Sequence, residues 1–288
     1  MYTSLFNGTR IIIMSINIAI IGHGYVGKAV DHGFSTSQVS KYIVDPIYGS
    51  PTIEDLVGKI RLHAAFVCVP TPFGDDGKID ASIVKDSVRK LSGAMCPIVV
   101  KSTTTPDVIE ELYLENENVI YNPEFLTEKN ALHDFINPPM HVLGGKRQYT
   151  NKVLELYENY SQCTPCPAYH MTAKEASFVK YGINSFLASK VLWFNQFKDV
   201  VEKWDAKYNV IVNAIGTDPR IGHSHTQVPG PDGRKGFGGA CFPKDTNAFC
   251  AFSDGDLPVL KKIIEENNKY RSQYELDDRE KEQKVSYE

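Results

Sequence analysis

Apolar residues in the first half of the chain come in short, nearly unbroken runs. Ile16 to Ile21 is the clearest. A run without a polar face suits a parallel strand buried on both sides. Tyr42-Ile43-Val44-Asp45, Ala64 to Val69, Pro97 to Lys101, Val119 to Tyr121 and His141 to Leu143 are of the same kind. Between them the spacing turns helical: from Gly27 through Phe34, from Ile79 to Leu91 with Asp80 as N-cap, and from Asp107 to Leu114. Strands alternating with helices predict an α/β fold built on a doubly wound parallel sheet.

The pattern changes after Pro167. Ala173 to Ala206 has no proline and only one glycine, Gly182, and its apolar residues (Ala176, Val179, Ile183, Phe186, Leu187, Phe194, Phe197, Val201) recur at helical spacing. This predicts one helix of roughly 30 residues, about 45 Å long. Val210 to Ile215 continues helical, Asp218 to Gly239 reads as loop, and Leu257 to Arg271 reads as a last amphipathic helix. Glu275 to Glu288 is charged and is expected to be frayed or disordered. The long helix carries more apolar surface than one small helical domain covers. A homodimer through that central helix is the simplest way to bury it.

Composition narrows the classes. The 288 residues are 42% hydrophobic and 23% charged, with a formal net charge of −4. No basic footprint for nucleic acid stands out, and no apolar run approaches the roughly 18 residues of a membrane helix. Arg10 is followed by Ile11 to Met14 without a secretory cleavage pattern, so residues 1–15 read as an extension and Met14 as a candidate start. Of the six cysteines, Cys68 and Cys96 lie in apolar runs and read as core. Cys163-x-x-Cys166 has no second pair at zinc spacing, so no metal site is expected. Reduced thiols fit a cytoplasmic protein.

Two stretches carry chemistry. Gly22-x-Gly24-x-x-Gly27, with Tyr25 and Val26 between the last two glycines, follows a strand and opens a helix. Asp45 ends the next strand, 18 positions after Gly27. That context is the fingerprint of a Rossmann dinucleotide site: tight turn, close pyrophosphate approach and close helix packing from the three glycines. The helix start supplies unpaired N–H groups for phosphate. A carboxylate on the ribose favours NAD over NADP. The second stretch is Gly236-Phe237-Gly238-Gly239-Ala240-Cys241-Phe242-Pro243-Lys244-Asp245. Glycines let a ligand approach the backbone, and a cation beside a thiol favours the nucleophilic thiolate.

This decapeptide resembles the signature of the UDP-glucose/GDP-mannose dehydrogenase family. Gly24 to Gly27, Val69-Pro70-Thr71-Pro72, Lys101-Ser102-Thr103, Asn122-Pro123-Glu124-Phe125-Leu126, Lys180-x-x-x-Asn184 and Arg220-Ile221-Gly222 follow the family's order. Arg-Ile-Gly before the cysteine loop is most similar to the UDP-glucose branch. The resemblance spans about Ile16 to Arg271. It implies a nucleotide-sugar substrate whose C6 alcohol becomes a carboxylate by two hydride transfers to NAD. It makes Cys241 the nucleophile, Lys180 and Asn184 the oxyanion partners, Asp245 a base, Thr103 a holder of water and Glu124 the acid residue of hydrolysis. Val69, Pro70, Thr71, Thr103 and Lys244 would line the cofactor. Phe125, Leu126, Glu128, Arg220, Phe237 and Gly238 would meet the substrate, with Arg220 reaching a neighbouring subunit.

The resemblance implies a Rossmann domain over 16–167, a helical dimerisation domain over 168–272 and a polar tail over 273–288. Relatives usually continue into a second nucleotide-binding domain. Without it, the partner subunit and Arg234-Lys235 are expected to supply pyrophosphate contacts. Two other readings stay open: a two-electron β-hydroxyacid-type dehydrogenase, which needs no thiol, and a dimeric NAD-binding remnant without turnover.

Overall fold

The computed structural model describes residues 3–6, 9–12, 15–49, 51–74, 77–127 and 129–287. Met14 and Glu128 therefore lie outside the described residues. The chain forms two compact units, Met1–Thr71 with Ala81–Lys180, and Pro72–Asp80 with Tyr181–Glu288.

In the first unit, β1 (Thr3–Phe6) and β2 (Thr9–Ile12) pair antiparallel. Next come β3 (Ile16–Ile21), α1 (Tyr25–Gly33), β4 (Val39–Val44), α2 (Ile53–Leu56), β5 (Ala64–Val67), α3 (Ser82–Lys90), β6 (Ile98–Val100) and α4 (Pro106–Glu115). They are followed by β7 (Val119–Tyr121), α5 (Ala131–Ile136), β8 (His141–Gly144), α6 (Arg147–Tyr160), β9 (Ala168–Met171) and α7 (Ala173–Lys203). Seven of these strands, among the described residues, join in the order β4-β3-β5-β6-β7-β8-β9. The pairs are parallel except β7 with β8. The doubly wound parallel sheet expected from the sequence is present, with one antiparallel pair where the β7–β8 connection holds only the six-residue α5 in place of a long crossover helix. Helix α3 starts at Ser82 with Ala81 at its N-cap, so Asp80 is not the cap.

Strand periodicity divides the core into two layers. Ala19, Ile21, Ala65 and Val67 face one layer, with Val84, Val88, Ile109 and Leu112 from α3 and α4. Ile18, Ile20, Ala64 and Phe66 face the other, with Ala29 and Val30 from α1 and Val153, Leu156 and Tyr157 from α6. Both faces are covered, which is why these strands read as nearly unbroken apolar runs. Each fully buried Ile or Val side chain contributes about 1.5–3 kcal/mol. Strand β3 sits between β4 and β5, so the strand order reverses beside it. Ligands of such sheets bind in the crevice outside the carboxyl ends at that reversal.

In the second unit, α7 continues and is followed by α8 (Tyr208–Thr217), α9 (Phe242–Phe252), α10 (Pro258–Arg271) and α11 (Asp278–Glu282). Phe194 and Val201 of α7 pack on Tyr208, Val212 and Val228. Ala188 and Leu192 pack on Phe237. The expected frayed tail is corrected. Asp277 and Glu280 form a reciprocal capping box on α11, and Glu280, Val285 and Tyr287 are buried. The tail folds because its carboxylate meets a buried guanidinium, Arg271, at 2.7 Å. Its charge is thus matched inside the unit rather than solvated.

One consequence of the first unit's core is acid sensitivity. The His141 ring stacks on Tyr157 at 4.3 Å. Burial, aided by the Lys101 charge, lowers its pKa to about 4 from 6.5. A base whose folded pKa is lowered gives stability that is whole above 6.5 and is lost as pH falls to about 4. The loss is on the order of 3 kcal/mol. Melting temperatures across that window should fall more steeply for the native chain than for His141→Gln. Equal slopes would remove His141 as the cause.

Candidate active site

The carboxyl end of β3 is built for close backbone approach. Gly22 has φ +85, and a Cβ there would meet the Cys68 carbonyl oxygen at 2.8 Å; at Gly27 it would meet the Gly22 oxygen at 2.0 Å. Only glycine fits either place. At Gly24, the N-cap of α1, a Cβ would meet nothing within 4 Å. That open space lies before the first turn of a nine-residue helix, where Tyr25, Val26 and Gly27 present N–H groups. Asp45 is buried, with one oxygen accepting from His23 N at 2.6 Å and the other from Ile47 N at 2.9 Å. Each oxygen keeps a lone pair for a ribose hydroxyl. The residues present thus fit a dinucleotide: space and donors for a pyrophosphate, and a fixed acceptor for a ribose.

Across the reversal, Val69 lies at the start of the loop after β5. Its carbonyl accepts the Ser102 hydroxyl at 2.7 Å. Pro70 is exposed and Thr71 buried. Thr103 is half-buried beside Ser102, and Tyr25 OH donates to the Thr127 carbonyl.

A second cluster of the first unit surrounds Lys180 on α7. Its ammonium is 3% exposed and donates to the Glu124 carbonyl at 2.7 Å and to Glu124 Oε1 at 3.1 Å. Glu124 Oε2 accepts from Leu126 N at 2.6 Å. The Phe125 ring lies 5.5 Å from the Lys180 nitrogen. Below them Lys101 donates to Asn122 Oδ1 at 3.0 Å, and Tyr157 OH donates to the same oxygen at 2.7 Å. Burial lowers the Lys101 pKa to about 8. This buried support escaped the sequence reading, which used Lys101 only as part of a motif.

The thiol cluster belongs to the second unit. Cys241 is the N-cap of α9, a helix that the sequence reading did not foresee. Its carbonyl accepts the Asp245 N–H at 2.8 Å. Asp245 is 1% exposed, with Oδ2 accepting from Asn184 at 2.6 Å and Oδ1 from Lys244 at 2.7 Å. Lys244, expected at the cofactor, is buried against that carboxylate. Asn184 lies one turn after Lys180 on α7. Phe237 is packed in the core, and its N–H and carbonyl are both taken by Asn267, at 2.7 and 3.0 Å. A Cβ on Gly238 would reach the Arg271 guanidinium at 2.1 Å.

The five other cysteines have thiols pushed up by burial, Cys68 and Cys96 to about 12 and Cys163, Cys166 and Cys250 by less. Arg220 is exposed and donates to Asp218 at 2.6 Å. Arg234 and Lys235 depart from expectation. Arg234 faces Glu280 at 3.6 Å and the Tyr274 ring, and Lys235 pairs with Asp199, so both cations already have a carboxylate beside them. Arg271, Asn267 and Glu280 were missed around the cysteine loop. The capping-box spacing of Asp277 and Glu280 was the available signal. Among the described residues no cluster of His, Cys, Asp and Glu could hold a metal, and no helix is long and apolar enough to cross a membrane.

Known proteins share this layout. The family model for the NAD binding domain of UDP-glucose/GDP-mannose dehydrogenases matches residues 58–161, and that for their central domain matches 174–269. The glycine turn precedes the first match but lies in the same sheet through β3. UDP-glucose 6-dehydrogenase YwqF of Bacillus subtilis is 28% identical over 88% of this chain and 66% of its own length. The UDP-glucose 6-dehydrogenase of Rickettsia typhi is 31% identical over 88% of the chain and 67% of its own length. A solved UDP-glucose dehydrogenase from Pyrobaculum islandicum superposes with a TM-score of 0.75 at 27% identity, covering 88% of this chain and 68% of that one. The chain spans about two thirds of the length of the curated relatives it matches. With both family models matched in chain order, the chain belongs to the UDP-glucose/GDP-mannose dehydrogenase family and carries its NAD-binding and central domains.

Proposed function

We propose that the chain oxidises the C6 alcohol of a nucleotide sugar, UDP-glucose, to the carboxylate, with Cys241 as the covalent nucleophile. The observation that carries this reading is Cys241 at the start of α9 above a buried Asp245 held by Asn184 and Lys244. A helix start favours an anion, and a four-electron oxidation needs a nucleophile where a simple alcohol dehydrogenase does not. NAD supplies a hydride acceptor for each of the two oxidations.

The residues divide the work. Removal of hydride and proton from the alcohol leaves an aldehyde. The Cys241 thiolate adds to its carbon, forming a C–S bond and an oxyanion. Lys180 and the free N–H of the Asn184 amide stabilise that oxygen. Loss of a second hydride from this adduct leaves a thioester. Water, positioned by Thr103 and deprotonated by Glu124 or Asp245, breaks the C–S bond and returns the thiolate. The balance is one alcohol, one water and two NAD to one carboxylate, two NADH and three protons. Phe125, Leu126 and Glu128 contact the sugar, and Arg220 approaches the site of a partner subunit.

The α7 face supports the homodimer. Phe186, Trp193 and Val200 recur every seven residues and are 69%, 53% and 52% exposed, a stripe that a two-fold copy would cover. A cytoplasmic enzyme of polysaccharide precursor supply fits this reading. The two-electron alternative predicts no use for the glycine-flanked thiol.

Three outcomes test the proposal. NADH counted at completion across a panel of nucleotide sugars should reach two per UDP-glucose, and Cys241→Ser should stop after the first oxidation. One NADH per sugar in the native chain would select the simple dehydrogenase, and none the remnant. For the cofactor, Asp45 should repel a 2′-phosphate, so NAD should bind tighter than NADP by about tenfold or more. Equal affinity would sink that role. For the dimer, light scattering should give twice the chain mass, and mixing Arg220→Ala with Cys241→Ser should restore part of the activity lost in each. A fully active monomer contradicts both the stripe and the shared arginine.

A further inference from the structure

The loop before Cys241 has no regular structure and is held by side chains from three helices of its own unit. Gly236 N donates to Asn195 of α7 at 3.1 Å. Phe237 N donates to Asn267 of α10 at 2.7 Å. Gly239 N, two residues before the thiol, donates to Glu280 of α11 at 3.1 Å. Gly236 and Gly239 have φ of +78 and +76, a conformation open to glycine, whose backbone also has the most freedom to leave it. Gly238 lies directly on the Arg271 guanidinium.

Glu280 is the hub of this support. It is fully buried, and its Oε1 accepts three donors: Arg271 at 2.7 Å, Gly239 N at 3.1 Å and Tyr287 OH at 2.6 Å. Its Oε2 accepts from Asp277 N at 2.9 Å and faces Arg234 at 3.6 Å. Burial alone would raise its pKa. The bonds from Tyr287, Asp277 N and Gly239 N, with the Arg271 charge, outweigh burial and lower it. Arg271 in turn donates to Asp232 at 2.6 Å, so the guanidinium is bracketed by two carboxylates.

We propose that Glu280 is a positioning residue for the thiol: through Gly239 and Arg271 it sets the backbone of the Gly236–Ala240 loop and so the approach to Cys241. The proposal rests on Cys241 being the nucleophile. It adds that residues of the charged tail, remote in sequence, are part of what makes that thiol usable. The chemistry requires a carboxylate. An amide at 280 has one acceptor oxygen and a donating NH2, so it cannot serve both the Oε1 donors and the capping-box N–H of Asp277. An unserved donor in this buried place must find another acceptor or shift the loop.

The test compares native protein, Glu280→Gln and Tyr287→Phe, which removes one donor and keeps the carboxylate. Variants are assayed well below their melting temperatures. The first readout is iodoacetamide alkylation of Cys241, followed by mass spectrometry, with Cys250 of the same helix as internal control. It needs no substrate, so it stands apart from the nucleotide-sugar reading. The expected result is a change of about threefold or more at Cys241 in Glu280→Gln, a smaller one in Tyr287→Phe, and none at Cys250. The second readout is turnover, where kcat should fall by about tenfold or more while the KM for NAD holds. A merely structural Glu280 would lower the melting temperature and leave both Cys241 reactivity and kcat native, which overturns the proposal. If Glu280→Gln does not fold, native reactivity in Tyr287→Phe overturns it equally. Native protein without uronate production, but with Cys241 reactivity dependent on Glu280, would count against the sugar reading and keep this one.

Discussion

A carboxylate that is 1% exposed must be matched or it unfolds the place that holds it, and Asp245 is matched on both oxygens. Breaking such a buried set by removing one partner costs on the order of 3–5 kcal/mol. The same constraint recurs at Glu124 with Lys180 and at Glu280 with Arg271. None of these sets is an efficient source of stability, because desolvation offsets much of the attraction. Their effect is geometric. Each ties a loop that has no ladder of its own to a rigid helix: the Glu124 loop to α7, the first turn of α9 to α7, and the glycine loop to α10 and α11.

Legibility followed from how a feature is encoded. Strands β3 and β7 were read to the residue because their runs are apolar but for Asn17 and both faces are covered. The end of α7 was read three residues long, since Trp204 and Asp205 continue the pattern until Asp205 adopts a positive φ. Strands β1, β2 and β9 and helices α2, α5, α6 and α9 were missed. In α9 the glycines ahead of Cys241 and the proline after it suggest loop, yet proline is tolerated in a first turn, where the N–H has no partner anyway. In the tail, charged residues suggest solvent, but Glu280 and Tyr287 belong to the interior through Arg271, nine and sixteen positions earlier. Local patterns reveal faces and periods. A charge that folds because of one distant partner leaves no period to read.

The candidate site shows the same division. The dinucleotide turn was legible because two of its glycines, Gly22 and Gly27, are demanded by backbone contacts within a few residues and across to Cys68. The residues proposed for the thiol step come from the family resemblance, which says nothing of the side chains that support them. That support resolves an electrostatic conflict. Asp245 sits in the first turn of α9, where its charge would repel a thiolate on Cys241 and weaken the helix end that favours one. Lys244 and Asn184 both bond to it, so its charge is taken up within the unit. A cation in contact and an amide donor leave the positive helix end facing the thiol less opposed. Burial raises the thiol pKa of Cys68, Cys96, Cys163, Cys166 and Cys250, and the buried Cys68 and Cys96 serve as small apolar groups. The nucleophile of this reading is set apart from its five counterparts by secondary structure, as the N-cap of a helix whose first turn accommodates Pro243.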